Sequence, residues 1–281
     1  MKVTIIGLGL IGGSMALDLR KAGVATKLMG LDQNLSNAKK AVDLKIVDEV
    51  LPENEALAKA DLVILAIPVN ALCAFLPSVL DAVNKNAVVI DAGSTKKMIC
   101  NSVANHPKRN QFVASHPIAG TEFSGPEAAF NGLFENKTNI ICEQEKSSAK
   151  ALTTAEKVFK TLGMNTIFME PEEHDKHVAY VSHLSHVSSF LLGQTVLDIE
   201  KDEKNIFDLA GSGFASTVRL AKSSPEMWTP IFEQNAEYLS QALLEYIMHL
   251  QKFQYHLQKR DAKELHKIMT KANDIKRILK S

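Results

Sequence analysis

The chain has 281 residues, 46% of them hydrophobic, so it is long enough for two domains with sizeable cores. Lysine plus arginine and aspartate plus glutamate both number 32, which leaves no net charge to attract nucleic acid. The three cysteines lie far apart without a C-x-x-C pair, which favours free thiols in a reducing compartment. Because we find no signal peptide and no apolar run of membrane-spanning length, we expect a cytoplasmic protein without nucleic-acid or membrane partners.

The opening stretch predicts a dinucleotide site. Residues 3–6 are apolar and β-branched, as in a buried strand, and Gly7, Gly9 and Gly12 follow in the G-x-G-x-x-G spacing. Gly7 lets the backbone turn, Gly9 leaves room for a pyrophosphate at the helix N-terminus, and Gly12 permits close packing of helix on strand.

An acidic residue supports this interpretation. A second strand over residues 27–31 ends at Asp32, about 20 residues after the glycines. Its carboxylate would accept hydrogen bonds from the adenosine ribose and repel a 2′-phosphate, which favours NAD over NADP. The alternative, a glycine turn followed by a surface aspartate, is disfavoured by the strand context. The residues expected to bind the cofactor are Gly7, Gly9, Leu10, Ile11, Gly12, Asp32, Ile67, Pro68 and Ser94.

Strands and helices alternate up to residue 169. After a helix over 36–44, strands are predicted at 60–67, 87–91, 112–115, 139–143 and 165–169, with helices at 71–83, 95–104 and 147–162. Alternation of this kind is typical of a doubly wound, mostly parallel Rossmann-like sheet. No strand pattern returns, so we expect an α/β domain over residues 1–170 and an all-α domain over residues 171–281.

The all-α part is predicted to consist of long amphipathic helices. Apolar residues at helical spacing predict one helix over residues 171–200, with a break at 202–205. Ser224 and Pro225 have N-cap and N1 chemistry and open a second helix that reaches residue 250, and residues 262–279 predict a third. Apolar stripes on such helices favour a homodimer, and packing among the helices themselves is the alternative.

Candidate catalytic residues follow predicted strands, because open α/β sheets bind ligands beyond the carboxyl ends of their strands. His116 follows the strand at 112–115 and precedes a proline. An imidazole with a pKa near neutrality suits removal of a hydroxyl proton while hydride leaves the same carbon. Ser94 could hydrogen-bond that oxygen or cap the helix at 95–104, and the two roles can coexist.

Two further groups of residues stand out in the helical part. Four histidines, at 174, 177, 183 and 186, fall within thirteen residues. No acidic residue lies at the H-E-x-x-H spacing, and His183 and His186 alone leave a zinc shell incomplete, so no metal is expected. Arg219 follows a glycine-rich bend and suits a carboxylate, which a guanidinium binds through two parallel hydrogen bonds; a surface arginine is the alternative.

Five segments together resemble the prephenate dehydrogenase family of tyrosine biosynthesis, which includes arogenate and cyclohexadienyl dehydrogenases. They are residues 7–14, 91–96, the H-P-I-A-G-T-E-F-S-G string at 116–125, 182–186 and 219–228. The resemblance implies a Rossmann-like domain, an all-α dimerisation domain, and NAD-dependent oxidative decarboxylation of prephenate to 4-hydroxyphenylpyruvate, carbon dioxide and NADH. Arogenate, with an ammonium in place of the keto group, is the alternative substrate.

The resemblance also implies roles for individual residues. His116 accepts the proton of the ring hydroxyl, Ser94 orients that hydroxyl, and Arg219 holds a substrate carboxylate. The substrate site is completed by Ser182, His183, His186 and Glu122, with Trp228 near the dimer interface and the neighbouring active site. Because we find neither a chorismate mutase segment nor a regulatory module, L-tyrosine, as an inhibitor, is expected to act at the catalytic site.

Two other functions are weighed against this one. A β-hydroxyacid dehydrogenase would have a lysine-based site on the long helix, where this chain has histidines. A non-catalytic NAD-sensing protein is expected to have lost His116, Ser94 or Arg219, and all three are present.

Overall fold

The computed structural model of the chain describes residues 1–201 and 206–278, with the side chain of Phe207 left out. The helix break predicted at 202–205 and the end of the last predicted helix at Leu279 lie outside these ranges. The chain forms two compact units, Met1–Asn235 and Ala236–Ser281.

In the described part of the first unit, an eight-stranded sheet forms the centre. The strands are β1 (Lys2–Ile6), β2 (Lys27–Leu31), β3 (Glu49–Val50), β4 (Leu62–Leu65), β5 (Val88–Asp91), β6 (Phe112–Pro117), β7 (Thr138–Cys142) and β8 (Asn165–Met169). Their order is β3-β2-β1-β4-β5-β6-β7-β8, and every neighbouring pair is parallel except β6 with β7. The predicted mostly parallel, doubly wound sheet is confirmed. Strand order reverses between β1 and β4, which opens a ligand crevice at their carboxyl ends.

Helices cover both faces of this sheet. They are α1 (Leu10–Lys21), α2 (Leu35–Asp43), α3 (Glu53–Lys59), α4 (Val69–Ala82), α5 (Lys97–Ser102), α6 (Ala149–Thr161), α7 (Pro171–Val178), α8 (Leu184–Glu200), α9 (Ser212–Thr217) and α10 (Pro225–Gln234). One buried cluster contains Ile5 and Phe159, and the other contains Leu76 and Trp228. Because α10 joins the second cluster, residues that follow the last strand are part of the same compact unit. The division at residue 170 stays a prediction.

Three elements differ from the sequence prediction. The short β3 and α3 were not predicted. Strand β6 continues to Pro117 because His116 and Pro117 pair with Ile140 and Asn139 of the antiparallel β7, so His116 lies within the strand rather than after it.

The helical segments keep the predicted order with two interruptions. The long helix over 171–200 is present as α7, a π-helical turn at Ala179–His183, and α8. Ser224 caps α10 as predicted, since its Oγ accepts from the Met227 backbone N–H. That helix ends at Gln234, however, because Asn235 leaves the helical conformation (φ −108°, ψ 24°).

The second unit consists of α11 (Ala236–Gln258) and α12 (Ala262–Ala272), followed by a 3₁₀ turn at Asn273–Arg277. Asp261 caps α12 by accepting from the Glu264 backbone N–H at 3.1 Å. The apolar side chains of Leu244, Met248 and Leu250 on α11 are exposed. Within the described ranges, no helix has both the length and the apolar character needed to cross a membrane.

Candidate active site

The glycine turn has the geometry that its spacing predicts. Gly7 has a φ of +92°, and a Cβ there would lie 2.3 Å from the Ala66 carbonyl oxygen. A Cβ at Gly12 would lie 2.1 Å from the Gly7 carbonyl oxygen, so the close packing of α1 on β1 needs glycine. At Gly9 the nearest atom would be 4.0 Å away. The face of Gly9, at the N-terminus of α1, is therefore open to a pyrophosphate.

The other proposed cofactor residues surround this turn. Asp32 accepts hydrogen bonds from the backbone N–H groups of Leu8 (2.9 Å) and Asn34 (2.8 Å), which hold its carboxylate at the end of β2. Ile67 contacts the turn, since its Cγ2 lies 2.9 Å from where a Cβ of Gly7 would be, and Pro68 is the N-cap residue of α4. Leu10 is buried in the core and Ile11 is half-buried. An open glycine face, a helix N-terminus and a fixed carboxylate together fit a dinucleotide.

A buried ion pair shapes the neighbouring loop. The Lys96 ammonium contacts the Asp91 carboxylate and donates to the Ser115 carbonyl at 2.6 Å, while Asp91 Oδ1 accepts from the Ser115 N–H at 2.8 Å. Both charged side chains are fully buried. These contacts join β5 to β6 near their carboxyl ends, and so fix Ser115, the residue that precedes His116. Sequence reasoning gave Asp91 and Lys96 no role.

Ser94 lies half-buried on this loop. It does not cap the following helix, because α5 begins at Lys97, with Lys96 as its N-cap residue. The capping role considered for Ser94 is therefore wrong. The Asp175 carboxylate takes that place instead: Oδ1 accepts from the Lys96 N–H at 2.7 Å and Oδ2 from the Lys97 N–H at 3.0 Å.

His116 is the first member of a buried chain of side chains. Its Nδ1 lies 2.8 Å from His174 Nε2, and His174 Nδ1 lies 2.7 Å from Asp175 Oδ1. His116 is 8% exposed, and the other two are more deeply buried. Strand β6 supplies the first residue and helix α7 supplies the other two. Sequence reasoning considered His174 only as a metal ligand and did not single out Asp175; the adjacent His-Asp pair near a helix start was the available signal.

Burial lowers the pKa of His116 well below its usual value, and the neighbouring His174 and Lys96 act in the same direction. The pKa of His116 is therefore lower than the near-neutral value that the sequence led us to expect. The imidazole is neutral at physiological pH and has a lone pair free to accept a proton.

Two more histidines lie at the start of α8. The His183 Nδ1 accepts from Asn235 Nδ2 at 3.1 Å, and Asn235 also donates to the Asp175 carbonyl at 2.7 Å. Burial lowers the pKa of His183 to about 4, so the ring is neutral and carries its proton on Nε2. His186 donates from Nδ1 to the Ser182 carbonyl at 3.1 Å. Sequence reasoning missed Asn235, whose buried side chain links His183 to α7.

Trp228 packs against His183 and His186. Its ring stacks on His186 with centroids 3.5 Å apart and meets His183 edge to face at 5.8 Å. The indole Nε1 is buried and has no hydrogen-bond partner among the described residues. This N–H is a donor available to a ligand.

Arg219 and Glu122, both predicted to contact substrate, contact each other. Arg219 Nη1 donates to Glu122 Oε2 at 3.0 Å, with the arginine side chain 51% exposed and the glutamate side chain 19% exposed. Ser189 of α8 holds the arginine segment by donating to the Thr217 carbonyl and accepting from the Ala221 N–H. Burial, and then the positive charge of Arg219, lower the pKa of His186, which lies on the same side of the site.

The chain is similar in sequence to known proteins over nearly its whole length. Residues 15–168 match the family model described as prephenate dehydrogenase, nucleotide-binding domain, and residues 170–271 match prephenate dehydrogenase, dimerization domain. The chain is similar to prephenate dehydrogenase of Bacillus subtilis, with 31% identity over 98% of this chain and 75% of the relative.

Solved structures agree with the sequence comparison. Prephenate dehydrogenase of A. aeolicus, in complex with hydroxyphenyl propionate and NAD+, is 33% identical with a TM-score of 0.89, over 99% of this chain and 98% of that one. Arogenate dehydrogenase of Synechocystis is 29% identical with a TM-score of 0.77, over 99% and 100%. With two family models that together span nearly its whole length, the chain belongs to the prephenate dehydrogenase family.

Proposed function

We propose that the protein is an NAD-dependent prephenate dehydrogenase that forms 4-hydroxyphenylpyruvate, carbon dioxide and NADH. The observation that carries the proposal is the neutral, buried His116, placed near the carboxyl end of the sheet at which the glycine turn lies. Relatives named prephenate dehydrogenase, at about one third identity over nearly the whole chain, support the choice of substrate.

The crevice between β1 and β4 suits NAD. The open face of Gly9 and the N-terminus of α1 would receive the pyrophosphate, and Asp32 would accept from the ribose hydroxyls. Leu10, Ile11, Gly12, Ile67 and Pro68 would border the bound molecule. When bound, NAD supplies the acceptor for the substrate's hydride. The Asp32 carboxylate would repel a 2′-phosphate, so NAD is preferred to NADP.

His116 is the proposed base. Its Nδ1 faces His174, so Nε2 is the atom that takes the proton of the ring hydroxyl. Once the ring carboxylate has left as carbon dioxide and the ring is aromatic, the same atom returns the proton to the phenolic oxygen. Ser94, on the loop after β5, would orient that oxygen. The protein then contributes mainly alignment and a dry surrounding for the proton transfer.

The substrate carboxylates meet one cation and several neutral donors. Arg219 would hold a carboxylate in place of Glu122, which occupies the guanidinium in this structure. His183 has an Nε2–H, and Trp228 has an unpartnered Nε1–H. His186 and Ser182 would complete this side of the site. Neutral donors suit a reaction in which one carboxylate must leave as neutral carbon dioxide, because they stabilise the ionised carboxylate of the bound substrate less than a second cation would.

We also propose that the protein is a homodimer formed through its C-terminal helices. The match of residues 170–271 to a dimerization domain supports this, as do the exposed apolar side chains on α8 and α11. L-Tyrosine, which shares the hydroxyphenyl group of the product, is proposed to compete with prephenate in the same cleft. Light scattering tests the dimer, and initial-rate kinetics with L-tyrosine at several prephenate concentrations test the competition.

The function is tested by following NADH absorbance with NAD and either prephenate or arogenate. We expect NADH with prephenate. Faster turnover with arogenate would make arogenate the substrate, and the absence of NADH with both would refute the dehydrogenase.

A further inference from the structure

We propose that His174 and Asp175 are positioning residues that hold His116 in the one tautomer able to act as the base. The proposal rests on the proposed function of His116, and deepens it. Neither residue needs to touch the substrate. Their effect passes through two hydrogen bonds, His116 Nδ1 to His174 Nε2 at 2.8 Å and His174 Nδ1 to Asp175 Oδ1 at 2.7 Å.

The direction of each hydrogen bond follows from Asp175. Both oxygens of this carboxylate accept from backbone N–H groups, Oδ1 from Lys96 and Oδ2 from Lys97, so the side chain serves as a hydrogen-bond acceptor. The proton between Asp175 and His174 is therefore on His174 Nδ1. A neutral His174 then has a lone pair on Nε2, which must accept from His116 Nδ1–H. This leaves the lone pair of His116 on Nε2, as proton abstraction requires.

The surrounding charges favour this assignment. Burial lowers the pKa of His174, against the opposing effect of Asp175, so its ring is neutral. Three charged or titratable groups surround these hydrogen-bonded side chains. They are Asp91 at the end of β5, Lys96 on the loop that follows it, and His183 from the π-helical turn. Lys96 is neutralised by Asp91 and is held on Ser115, so it does not compete for either histidine.

His174 and Asp175 also stabilise the protonated, positively charged form of His116. When His116 Nε2 takes the hydroxyl proton, the ring becomes a cation in a buried place, which is costly without a partner. His174 Nε2 accepts from that cation, and the carboxylate of Asp175 stabilises the charge through His174. The proton stays on His116 and later returns to the product oxygen, so it is not passed on to His174 or Asp175.

A purely structural role is the alternative to be tested, because Asp175 also caps α5. The Asp175→Asn variant separates a structural role of Asp175 from its effect on His116. Oδ1 accepts from the Lys96 N–H and also faces His174 Nδ1, so an asparagine oxygen in its place keeps both contacts and removes the negative charge that stabilises the protonated His116. We expect kcat to fall by about 10²-fold or more, as when the carboxylate partner of a catalytic histidine is replaced by its amide. KM for prephenate and Kd for NAD should change by less than about threefold.

A matched pair at position 174 keeps the test independent of helix capping. In His174→Gln the amide oxygen can still accept from His116 Nδ1–H, whereas His174→Met has a similar length and no strong acceptor. We expect His174→Gln to retain at least about tenfold more kcat than His174→Met. Controls on the same helix are Glu173→Gln and His177→Gln, both at exposed positions, which should behave like the wild type.

Histidine ¹⁵N spectra give a readout that does not require activity. In the wild type, His116 should have its proton on Nδ1 and an unprotonated Nε2. A wild-type His116 protonated on Nε2 would overturn the proposal, as would equal kcat in His174→Gln and His174→Met, or a folded Asp175→Asn with nearly normal kcat. A wild type that forms no NADH but shows the expected tautomer would refute the proposed function and leave the positioning intact.

Discussion

The Arg219 guanidinium donates to the Glu122 carboxylate, with Nη1 and Oε2 3.0 Å apart. The two residues are 97 positions apart in the sequence, one in the turn after α9 and the other in the loop after β6. A substrate carboxylate that binds Arg219 has to take the place of this carboxylate or share the guanidinium with it. In the role proposed for Arg219, the affinity of the site for substrate is the difference between these two similar interactions, rather than the full strength of one.

Replacement of Arg219 should act mainly on substrate binding. A hydrogen bond to a charged group contributes about 1.5–3 kcal/mol, and the displaced Glu122 contact offsets part of this, so Arg219→Ala should raise KM for prephenate about 10-fold with a smaller change in kcat. The KM of Arg219→Lys should lie between those of the wild type and Arg219→Ala, because lysine keeps the charge but lacks the planar guanidinium that binds a carboxylate through two hydrogen bonds. Steady-state kinetics measure both constants. Lys222→Ala, at an exposed position of the same turn, is the control, and an equal rise in KM there would point to general electrostatic attraction instead.

Replacement of His116 should act on turnover. General base catalysis contributes about 10²- to 10⁴-fold, so His116→Asn should lower kcat by that factor while the Kd for NAD, measured by fluorescence titration, changes little. His116 lies within β6, and the glycine turn follows β1, so cofactor binding need not sense the change. Turnover close to the wild type would remove His116 from the role of base.

Replacement of Asp32 should change the choice of cofactor. In Asp32→Asn the side chain has no charge and no longer repels a 2′-phosphate. Two like charges about 4 Å apart repel each other by about 1 kcal/mol in bulk water and by about 4 kcal/mol near a protein surface. The ratio of kcat/KM with NAD to kcat/KM with NADP should fall about tenfold or more. An unchanged ratio would show that another feature of the crevice selects the cofactor.

A Cβ at Gly12 should destabilise the fold. It would lie 2.1 Å from the Gly7 carbonyl oxygen and 2.9 Å from Ile5 Cγ2, both in the packed interior. Overpacking of this kind costs about 1–3 kcal/mol or more, so the free energy of unfolding in urea should fall by at least that amount in Gly12→Ala. Gly193→Ala in α8 is the control, because its nearest atom is 3.6 Å away. Equal stability of the two variants would contradict the close contact of α1 with β1.

His183 should make the protein less stable in acid. Its pKa is about 4 in the folded chain against 6.5 ordinarily, so between these values the unfolded state binds a proton that the native state does not. Stability therefore falls as pH decreases through this window, by up to about 1.4 kcal/mol per pH unit, and levels off below the folded pKa. Urea unfolding at several pH values should show a smaller slope for His183→Gln. The same slope in both proteins would mean that His183 titrates normally.

The sequence allowed prediction of the features set by local pattern. The apolar runs and the glycine spacing located the strands, α1 and the cofactor crevice, because burial and backbone geometry constrain residues close in the chain. It did not reveal the extension of β6 through His116, which depends on pairing with β7, or the short β3 and α3, which are too brief for a periodic signal.

Long-range polar contacts were also beyond the sequence pattern. Asp175 caps a helix that begins 78 residues earlier, and Asn235 joins α7 to His183 across more than fifty positions. Nothing in the local sequence of either residue encodes these partners. The roles of the candidate residues came from the resemblance, whereas the supporting contacts became visible only when the fold brought the partners together. The supporting residues are Asp91, Lys96, His174, Asp175 and Asn235.

The most direct measurement of the proposed reaction uses prephenate deuterated at C4, incubated with NAD and the wild-type protein. We expect 4-hydroxyphenylpyruvate, carbon dioxide and reduced cofactor in equal amounts, with the deuterium on the nicotinamide ring. Reduced cofactor without deuterium, or consumption of prephenate without reduced cofactor, would contradict hydride transfer from the carbon whose hydroxyl His116 deprotonates.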